Sequence, residues 1–350
     1  MNLEDVARLA KVSTATVSRV LNGVDVVRPG TRARVMKAVL ELKYHPNLHA
    51  RSLAGVPSKT LGVIVSNLEN PFFLDVYRSL EVDCRNNGYE VLVANTDYRA
   101  EQLVASVRLM IGRRVAGLAV IVSEMEGALI QELTESQIPA VFYDVGPSTP
   151  NIMNIRVNYK SGVARMVAHL AGLGHRRFAF IGHHSGLGPI NERYSAVREA
   201  VGLLSPDAEL HAIAGNDSLE GGRQAARSLL ESGYAPTAMV CVNDLMAVGA
   251  MRELRECGLR VPEDVSVTGF DNIRLSEFCC PPLTTVHIPR DRIGHLLFSI
   301  LAPGTQPANP AGADIIIEPD LVVRESSGPA NPTQVCRPLR PEQSATLRSA

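Results

Sequence analysis

The stretch that most constrains the fold is VSTATVSRVLNG, residues 12–23, together with the residues on either side of it. Before it, Asn2 is a good helix N-cap, and Asp5 follows where its carboxylate can reach back to the Asn2 backbone. Ser13 can cap a second short helix, and Thr31 is predicted to begin a third. Three short helices with one shared apolar face form a helix-turn-helix module, whose second helix reads the major groove of DNA.

The apolar face of this predicted module follows helical spacing in each segment. Its members are Val6, Ala7, Leu9 and Ala10 in the first helix, Val17, Val20 and Leu21 in the second, and Val35, Ala38, Val39 and Leu42 in the third. The spacing predicts that all of these side chains lie in one small core.

Basic residues are concentrated in the same part of the chain. Residues 1–60 hold ten Lys or Arg against four Asp or Glu, a net charge of +6, whereas the whole chain carries −1, so the other 290 residues carry −7. A basic head on an acidic body indicates a polyanionic partner, although charge alone also fits a solvated surface. Together with the helix pattern, the charge predicts binding to double-stranded DNA.

The segment after the third helix is predicted to fold only conditionally. Pro46 cannot continue a helix, and the following NLHARSLAG, residues 47–55, is too short to persist as a helix alone. Leu53 has no core to join there. It is either an incidental linker leucine or a wedge that opens a base step in the minor groove, as architectural DNA binders use.

The predicted DNA contacts divide by side-chain chemistry. Side chains with hydroxyl or amide groups suit contacts with phosphates. The residues expected to face the bases are Thr14, Ala15, Thr16 and Arg19. Of these, Arg19 is the strongest donor for a guanine edge. The complete predicted set is Ser13, Thr14, Ala15, Thr16, Ser18, Arg19, Asn22, Thr31, Tyr44, Asn47, Ala50, Arg51 and Leu53.

The rest of the chain alternates apolar β-branched runs with amphipathic helical stretches. The runs are 61–67, 89–96, 116–123 and 139–144, then 178–182, 209–215, 237–243 and 265–271. Such alternation predicts parallel sheets with helices on both faces, and two series of similar size predict two α/β lobes. The predicted fold class is therefore a small all-α head followed by a two-lobed α/β body.

The chain resembles the LacI/GalR family of bacterial transcription regulators. The resemblance rests on LEDVARLAKVSTATVSRVLNG, ELKYHPN and NLHARSLAG in the head and hinge. It continues with GHRRFAFIG, VNDLMAVGAM, VPEDVSVTGFD and PPLTTV in the body. It implies a periplasmic-binding-protein-like body, a dimer on a near-palindromic operator, and a small-molecule effector between the lobes.

The resemblance also implies a domain plan. We expect a DNA-binding domain over 1–46, a hinge over 47–59, an effector and dimerisation domain over 60–326, and a disordered tail over 327–350. The chain is expected to cross between the lobes near Asn158, Pro289 and Pro319. Lobe 1 would then comprise 60–158 and 290–318, and lobe 2 would comprise 159–288 and 319–326. No leucine heptad follows, which favours a dimer over a tetramer.

Ligands of open α/β sheets bind outside the carboxyl ends of the strands, and those positions are polar here. Each such residue alone suits a helix cap as well as a ligand contact. From position and resemblance together, the predicted effector contacts are Phe72, Phe73, Ser123, Asp144, Arg193, Asp217, Asn243 and Asp271.

Three departures from the family pattern leave the ligand class open. Ala196 and Val197 replace a glycine and an aromatic residue after Arg193, Asp217 replaces an aromatic residue, and an Asp-Asn pair appears as Asn158-Tyr159. The pocket is therefore expected to be more polar than a simple sugar site. A sugar or a phosphorylated, aminated or acidic metabolite would suit it.

Other classes of protein lack support in the sequence. The first residues form no secretion signal, and no window reaches about 18 apolar residues, so we expect a cytoplasmic protein with no membrane partner. The six cysteines show no CxxC spacing, and the chain has no phosphate loop. The run 182–186 misses the G-x-S-x-G spacing, and His183-His184 has no third metal ligand. We expect no cofactor, no metal and no catalysis.

The hypothesis from sequence is a ligand-responsive transcription regulator, most simply a repressor. A plain solute-binding protein would explain the body but not the head. An enzyme on an α/β scaffold would need a catalytic constellation, which the residues do not form. Whether the effector causes induction or co-repression is left open by the residues.

Overall fold

The computed structural model of the chain describes residues 2–21, 26–44, 58–123, 125, 127–183, 188–302 and 314–331. The chain divides into two compact units, residues 1–58 and 59–350, which we call the head and the body.

The head contains three short helices: α1 (Leu3–Ala10), α2 (Thr14–Leu21) and α3 (Pro29–Glu41). The Asn2 side chain accepts the Asp5 amide at 3.0 Å while the Asp5 carboxylate accepts the Asn2 amide at 3.0 Å, the predicted capping box. Lys11 ends α1 in the left-handed conformation, with φ 53°. That turn leads from α1 into α2.

Two details of the head differ from the prediction. The third helix begins at Pro29 rather than Thr31, because a proline in the first helical turn has a pre-set φ and needs no amide partner. Leu9 is 42% exposed rather than part of the core, which is formed around buried Val6, Val17 and Val35.

The body contains two sheets with helices on both faces, which confirms the predicted two-lobed α/β class. Its strands are β1 (Thr60–Val65), β2 (Glu90–Asn95), β3 (Gly117–Ile121), β4 (Ala140–Tyr143), β5 (Ile152–Val157), β6 (Arg177–His183), β7 (Glu209–Gly215), β8 (Ala238–Cys241), β9 (Ser266–Asp271), β10 (Thr284–His287), β11 (Asp314–Ile317) and β12 (Asp320–Val322). Its helices are α4 (Pro71–Asn86), α5 (Ala100–Gly112), α6 (Gly127–Ser136), α7 (Tyr159–Gly172), α8 (Gly188–Gly202), α9 (Leu219–Glu231), α10 (Asp244–Glu256), α11 (Arg274–Phe278) and α12 (Arg290–Leu301).

Within the described residues, each lobe is built on one six-stranded sheet. Lobe 1 has the order β11-β5-β4-β3-β1-β2, and lobe 2 has the order β12-β10-β9-β8-β6-β7. All neighbouring strands are parallel except β12, which runs antiparallel to β10. Four strands were not predicted, namely β5, β10, β11 and β12, because they are short or interrupted by polar residues such as Asn154 and Arg156.

The chain passes between the lobes three times, always at the same side of the two sheets. It does so at Asn158 after β5, at Ile288-Pro289 after β10, and at Glu318-Pro319 between β11 and β12. These strands lie at or next to one edge of each sheet, and the edge strands on the other side are β2 and β7. The three crossovers therefore connect the two lobes along one edge of the body.

The first residues of the segment predicted to be disordered are ordered against lobe 2. Residues 327–331 continue along lobe 2, where the Gly328 amide donates to the Ser266 hydroxyl at 3.0 Å and the Ala330 amide donates to the Leu173 carbonyl at 2.8 Å. The buried His175 contacts the Gly328 carbonyl through Nε2 at 3.0 Å. These bonds fix the segment against the sheet; residues 332–350 lie outside the described residues.

Helices α9 and α10 approach closely through two glycines. A Cβ on Gly222 would lie 2.2 Å from the Met246 carbonyl oxygen, and one on Gly249 would lie 1.9 Å from that of Leu219. Only glycine permits this backbone contact. The contact positions the start of α10, which borders the space between the lobes.

Candidate functional site

The exposed face of α2 carries the residues predicted to meet DNA. Thr14, Ala15 and Arg19 are exposed, while Thr16 and Ser18 are half-buried. The Ser13 hydroxyl lies 2.9 Å from that of Thr16 and accepts the Thr16 amide at 3.2 Å. Ser13 therefore caps α2, and the residues that are free to reach base edges are the three exposed ones.

The remaining predicted DNA contacts differ in their surroundings. Thr31 is half-buried in the first turns of α3, and Tyr44 packs partly against the head core. The other predicted residues, Asn22, Asn47, Ala50, Arg51 and Leu53, lie outside the described residues.

The second candidate site is a cleft of about 520 Å³, including its open mouth, between the carboxyl ends of the strands of the two lobes. Seven of the eight predicted effector residues line it: Phe72, Phe73, Ser123, Arg193, Asp217, Asn243 and Asp271. It is also lined by Asn70, Tyr98, Val122, Tyr143, Tyr159, Pro189, Ile190 and Val242.

Arg193, on α8, is the cation of the cleft. Its guanidinium lies between two aromatic rings, 4.8 Å from the Tyr159 ring centre and 4.5 Å from that of Phe270. Nη1 donates to the Val242 carbonyl at 2.7 Å, and Nη2 donates to the Tyr159 hydroxyl at 3.3 Å. Stacking and hydrogen bonds hold the fork in one orientation, while Nε has no hydrogen-bond partner in the described part of the chain.

Asp271 faces Arg193 from the end of β9. Its Oδ1 lies 3.6 Å from Nη2 of Arg193, beyond hydrogen-bond distance, and the Asp271 side chain is 4% exposed. Burial raises the pKa of Asp271 to about 7, against the opposing effect of Arg193 and Arg290, and Asp217 raises it further. An acid so placed exchanges its proton near neutral pH.

Three buried polar atoms of the cleft have no hydrogen-bond partner within the described part of the chain. They are the Tyr143 hydroxyl, Nε of Arg193 and Oδ1 of Asp271. Leaving such groups unpaired costs about 1–3 kcal/mol each, so together they favour a ligand or water that pairs with them. Oδ1 of Asp271 offers an acceptor, and the Tyr143 hydroxyl and Nε of Arg193 offer donors, all within one cleft.

Asp144, the eighth predicted contact, lies behind the cleft wall rather than on it. Oδ2 accepts the Tyr159 hydroxyl at 2.7 Å and Oδ1 accepts the Val157 amide at 2.7 Å. Burial raises the pKa of Asp144 to about 6, although both hydrogen bonds oppose the shift. Asp144 therefore supports Tyr159 and is not among the residues that line the cleft, a difference that strand-end position alone does not reveal.

Asn243 and Asp217 form a second polar group in lobe 2. The Asn243 side chain caps α10 by accepting the Met246 amide at 3.0 Å, and its Nδ2 donates to Oδ1 of Asp217. Asn243 thus serves both as a cap and as part of the cleft lining. The departures at Ala196 and Val197 lie in the core and not in the cleft lining.

Lobe 1 supplies an apolar wall. Phe72 and Phe73 begin α4 after the Asn70 cap, and their rings meet edge to face at 5.4 Å. Phe72 also packs against Tyr143 at 5.6 Å. Ser123 is placed by its amide, which donates to the Ser66 hydroxyl at 2.9 Å.

Sequence reasoning missed three tyrosines of the cleft: Tyr98, Tyr143 and Tyr159. Tyr143 lies near the end of the predicted strand 139–144, and Tyr159 follows the predicted first crossover at Asn158. Tyr98 follows the β2 edge strand, where nothing in the sequence pointed to the partner across the cleft.

Two searches of the described residues bear on other functions. No group of three or more His, Cys, Asp or Glu in them could hold a metal ion. No helix among them is long and apolar enough to cross a membrane.

Comparison with known proteins assigns both parts of the chain. Residues 2–47 match the family model described as bacterial regulatory proteins, lacI family, and residues 167–327 match a periplasmic binding protein-like domain. The HTH-type transcriptional repressor PurR of Photobacterium profundum is 34% identical over 93% of this chain and 98% of its own length.

Solved structures agree with the sequence comparison. A lac repressor dimer bound to operator and the anti-inducer ONPF superposes with a TM-score of 0.81 and 31% identity, over 94% of this chain and 99% of that chain. A complex of the transcriptional regulator CelR with cellobiose gives a TM-score of 0.67 and 28% identity, over 93% of this chain and 100% of that one.

Proposed function

This chain belongs to the lacI family of bacterial regulatory proteins, and we propose that this ligand-controlled, DNA-binding regulator represses transcription as a homodimer on a near-palindromic operator. The observation that carries the proposal is the combination of two sites in one chain. The exposed face of α2 carries side chains that can reach base edges, and the cleft holds buried polar atoms with no hydrogen-bond partner among the described residues. Since DNA is its target, we place the protein in the cytoplasm.

On the operator, α2 of each protomer would occupy a major groove, with two grooves about one helical turn or a multiple of it apart. Arg19 can donate two hydrogen bonds to a guanine, and Ala15 can contact a thymine methyl. Thr14 adds one hydrogen bond. The hinge residues Asn47, Ala50, Arg51 and Leu53 are proposed to enter the minor groove, with Leu53 as the wedge.

The cleft favours an uncharged or amino-bearing polar ligand over an anion. Asp217 and Asp271 both line it, whereas Arg193 is the single cationic lining residue among those described. Arg193 is already engaged with two acceptors and two rings. A phosphate or carboxylate would have to enter beside Asp217 and Asp271, and the ionised form of each acid repels an anion in a partly dry site. Aromatic walls with hydroxyl, amide and carboxylate groups suit a polyol, an amino sugar or a nucleobase.

Binding at Asp271 has a direct structural route to lobe 1. Arg290, the first residue of α12, donates to the backbone carbonyls of Asp271 and Asn272. Its Nε also donates to Asp75 of α4 in lobe 1 at 3.1 Å. A ligand that moves the Asp271 backbone would therefore bias the angle between the lobes. Because β1 of lobe 1 continues directly from the hinge segment, we propose that this angle controls operator affinity.

An electrophoretic mobility-shift assay with the upstream region of the gene for this chain tests the proposal. We expect retardation that weakens steeply with salt and survives an excess of scrambled DNA of equal length. Absence of retardation at every salt concentration would contradict the regulator assignment and favour a solute-binding protein.

A thermal-shift screen tests the ligand class, since a ligand of the folded state raises the melting temperature. Cellobiose, ribose, glucosamine and guanine would be compared with glucose 6-phosphate and gluconate. Stabilisation confined to the two anions would overturn the charge argument.

A further inference from the structure

Tyr98 and Asp217 meet across the mouth of the cleft, one from each lobe. The Tyr98 hydroxyl donates a hydrogen bond to Oδ2 of Asp217. Tyr98 follows β2 and Asp217 follows β7. Strands β2 and β7 are the edge strands on the side of the body opposite the three crossovers. Rotation of the lobes about the three crossovers would separate atoms most at this far edge. The contact therefore has the greatest leverage against opening.

The lobe 1 side of this contact is a strained, well-supported turn. Asp97 and Tyr98 both adopt left-handed backbone conformations, with φ 51° and 58°. Such values are rare for a bulky residue because Cβ crowds the neighbouring carbonyl, so surrounding contacts must hold the turn. The Asn95 side chain supplies them: Nδ2 donates to the Asp97 carboxylate, and Oδ1 accepts the Leu68 amide at 3.0 Å.

The lobe 2 side is fixed by a residue of the cleft itself. Asp217 Oδ1 accepts Nδ2 of Asn243, whose own oxygen caps α10. Asp217 thus accepts one hydrogen bond from its own lobe and one from the other lobe. Tyr98 and Asp217 are both half-buried, which places them at the rim rather than on the floor.

We propose that Tyr98 and Asp217 form a latch that holds the lobes closed and must open to admit the effector. The proposal rests on the proposed function only in taking the cleft as the effector site. Within lobe 2, Asn243 holds the Asp217 carboxylate in the cleft lining, and closing the latch brings the Tyr98 hydroxyl to the same carboxylate. Its opening and closing link ligand access to the angle between the lobes.

Hydrogen–deuterium exchange of the full-length protein, without ligand or DNA, tests the latch. Tyr98→Phe removes only the hydroxyl. We expect amides of residues 95–99 in lobe 1 and 215–219 in lobe 2 to exchange about tenfold faster, the value for loss of one hydrogen bond to a charged group at a solvated rim. Amides of residues 242–245 on the cleft wall should also exchange faster.

Tyr234→Phe is the matched control, because the Tyr234 hydroxyl donates to the Phe178 carbonyl at 3.2 Å within lobe 2. It should leave exchange at 95–99 unchanged. Asp217→Asn is a second variant of the same shape, and it should speed exchange in both lobes, since the bond from Tyr98 loses its charged acceptor.

Unchanged exchange in both latch variants, or faster exchange confined to one lobe, would overturn the latch. Because neither DNA nor effector is present, such a result would leave the repressor proposal intact. A failed mobility shift would equally leave the exchange result valid.

Discussion

The Asp144 carboxylate accepts the Tyr159 hydroxyl at 2.7 Å, and this hydrogen bond joins the two lobes behind the cleft, beside the first crossover. The same hydroxyl accepts Nη2 of Arg193 at 3.3 Å. One buried tyrosine therefore connects a lobe 1 acid with the cation of the cleft. Asp144, which is not among the lining residues of the cleft, therefore influences the orientation of Arg193 through Tyr159.

Removal of this hydroxyl is expected to destabilise the body. Tyr159→Phe leaves Asp144 with one hydrogen bond in a buried setting, which should lower the free energy of unfolding by about 1–3 kcal/mol. The measurement is urea unfolding followed by circular dichroism, since the chain has no tryptophan. Tyr234→Phe, whose hydroxyl is only half-buried, should cost less. Equal losses in the two variants would contradict the support role of Tyr159.

Asp271 and Asp144 make the free energy of unfolding depend on pH at values above the usual pKa of an aspartate. Burial raises the pKa of Asp271 to about 7 and that of Asp144 to about 6, so the folded state retains protons that the unfolded chain releases. The stability contributed by these protons is fully present below the unfolded pKa and is lost as pH rises through 6 and 7.

Asp271→Asn should remove most of this dependence. Between pH 5 and 8 the ligand-free wild type should lose about 1–3 kcal/mol of unfolding free energy relative to this variant. Asp207→Asn, at an exposed acid, is the control and should follow the wild type. His169 and His175, whose pKa values burial lowers, reduce stability at acid pH in all three proteins alike. Parallel curves for wild type and Asp271→Asn would refute the assignment.

Arg193 is predicted to be essential for the response to effector but not for DNA binding. Arg193→Lys keeps the charge but loses the planar fork that stacks between Tyr159 and Phe270. The ligand found in the thermal-shift screen should bind at least about tenfold more weakly, as expected from loss of a charge-assisted contact. Calorimetry measures the affinity, and a mobility shift checks operator binding. Arg198→Lys, on the same helix but exposed, should bind normally; undiminished affinity in Arg193→Lys would show that the cleft was misassigned.

Much of the cleft could be anticipated because parallel strands end at one edge of a sheet. That geometry brings Asn243, which follows β8, and Asp271, which ends β9, into one space. The same rule does not say whether a residue at a strand end lines the cleft or lies behind its wall. Asp144 was therefore assigned to the cleft, although its carboxylate points to Tyr159 behind the wall. Depth depends on how far each strand extends, which the apolar pattern leaves undetermined.

The contact between Tyr98 and Asp217 could not be anticipated, because it exists only once two separately folded lobes close on each other. In the head, hydrophobic spacing located all three helices, yet Leu9 is exposed because three short helices enclose too little volume to bury every apolar side chain. Local capping residues such as Asn2 and Asp5 were the most reliable signals, since their partners lie within one turn.

Arg19 is predicted to carry most of the base discrimination made by α2. Its side chain is exposed on the groove-facing surface, whereas its neighbours Thr14 and Ala15 offer at most one hydrogen bond and one methyl contact. Arg19→Ala should weaken operator binding by about 1–3 kcal/mol and reduce the preference for operator over scrambled DNA. Fluorescence anisotropy at several salt concentrations measures both effects. Arg113→Ala, which removes the same charge from an exposed position in the body, should change neither. If Arg19→Ala instead lost equal affinity for both DNAs and reduced the salt slope by about one, Arg19 would be a phosphate contact, and base readout would have to come from elsewhere.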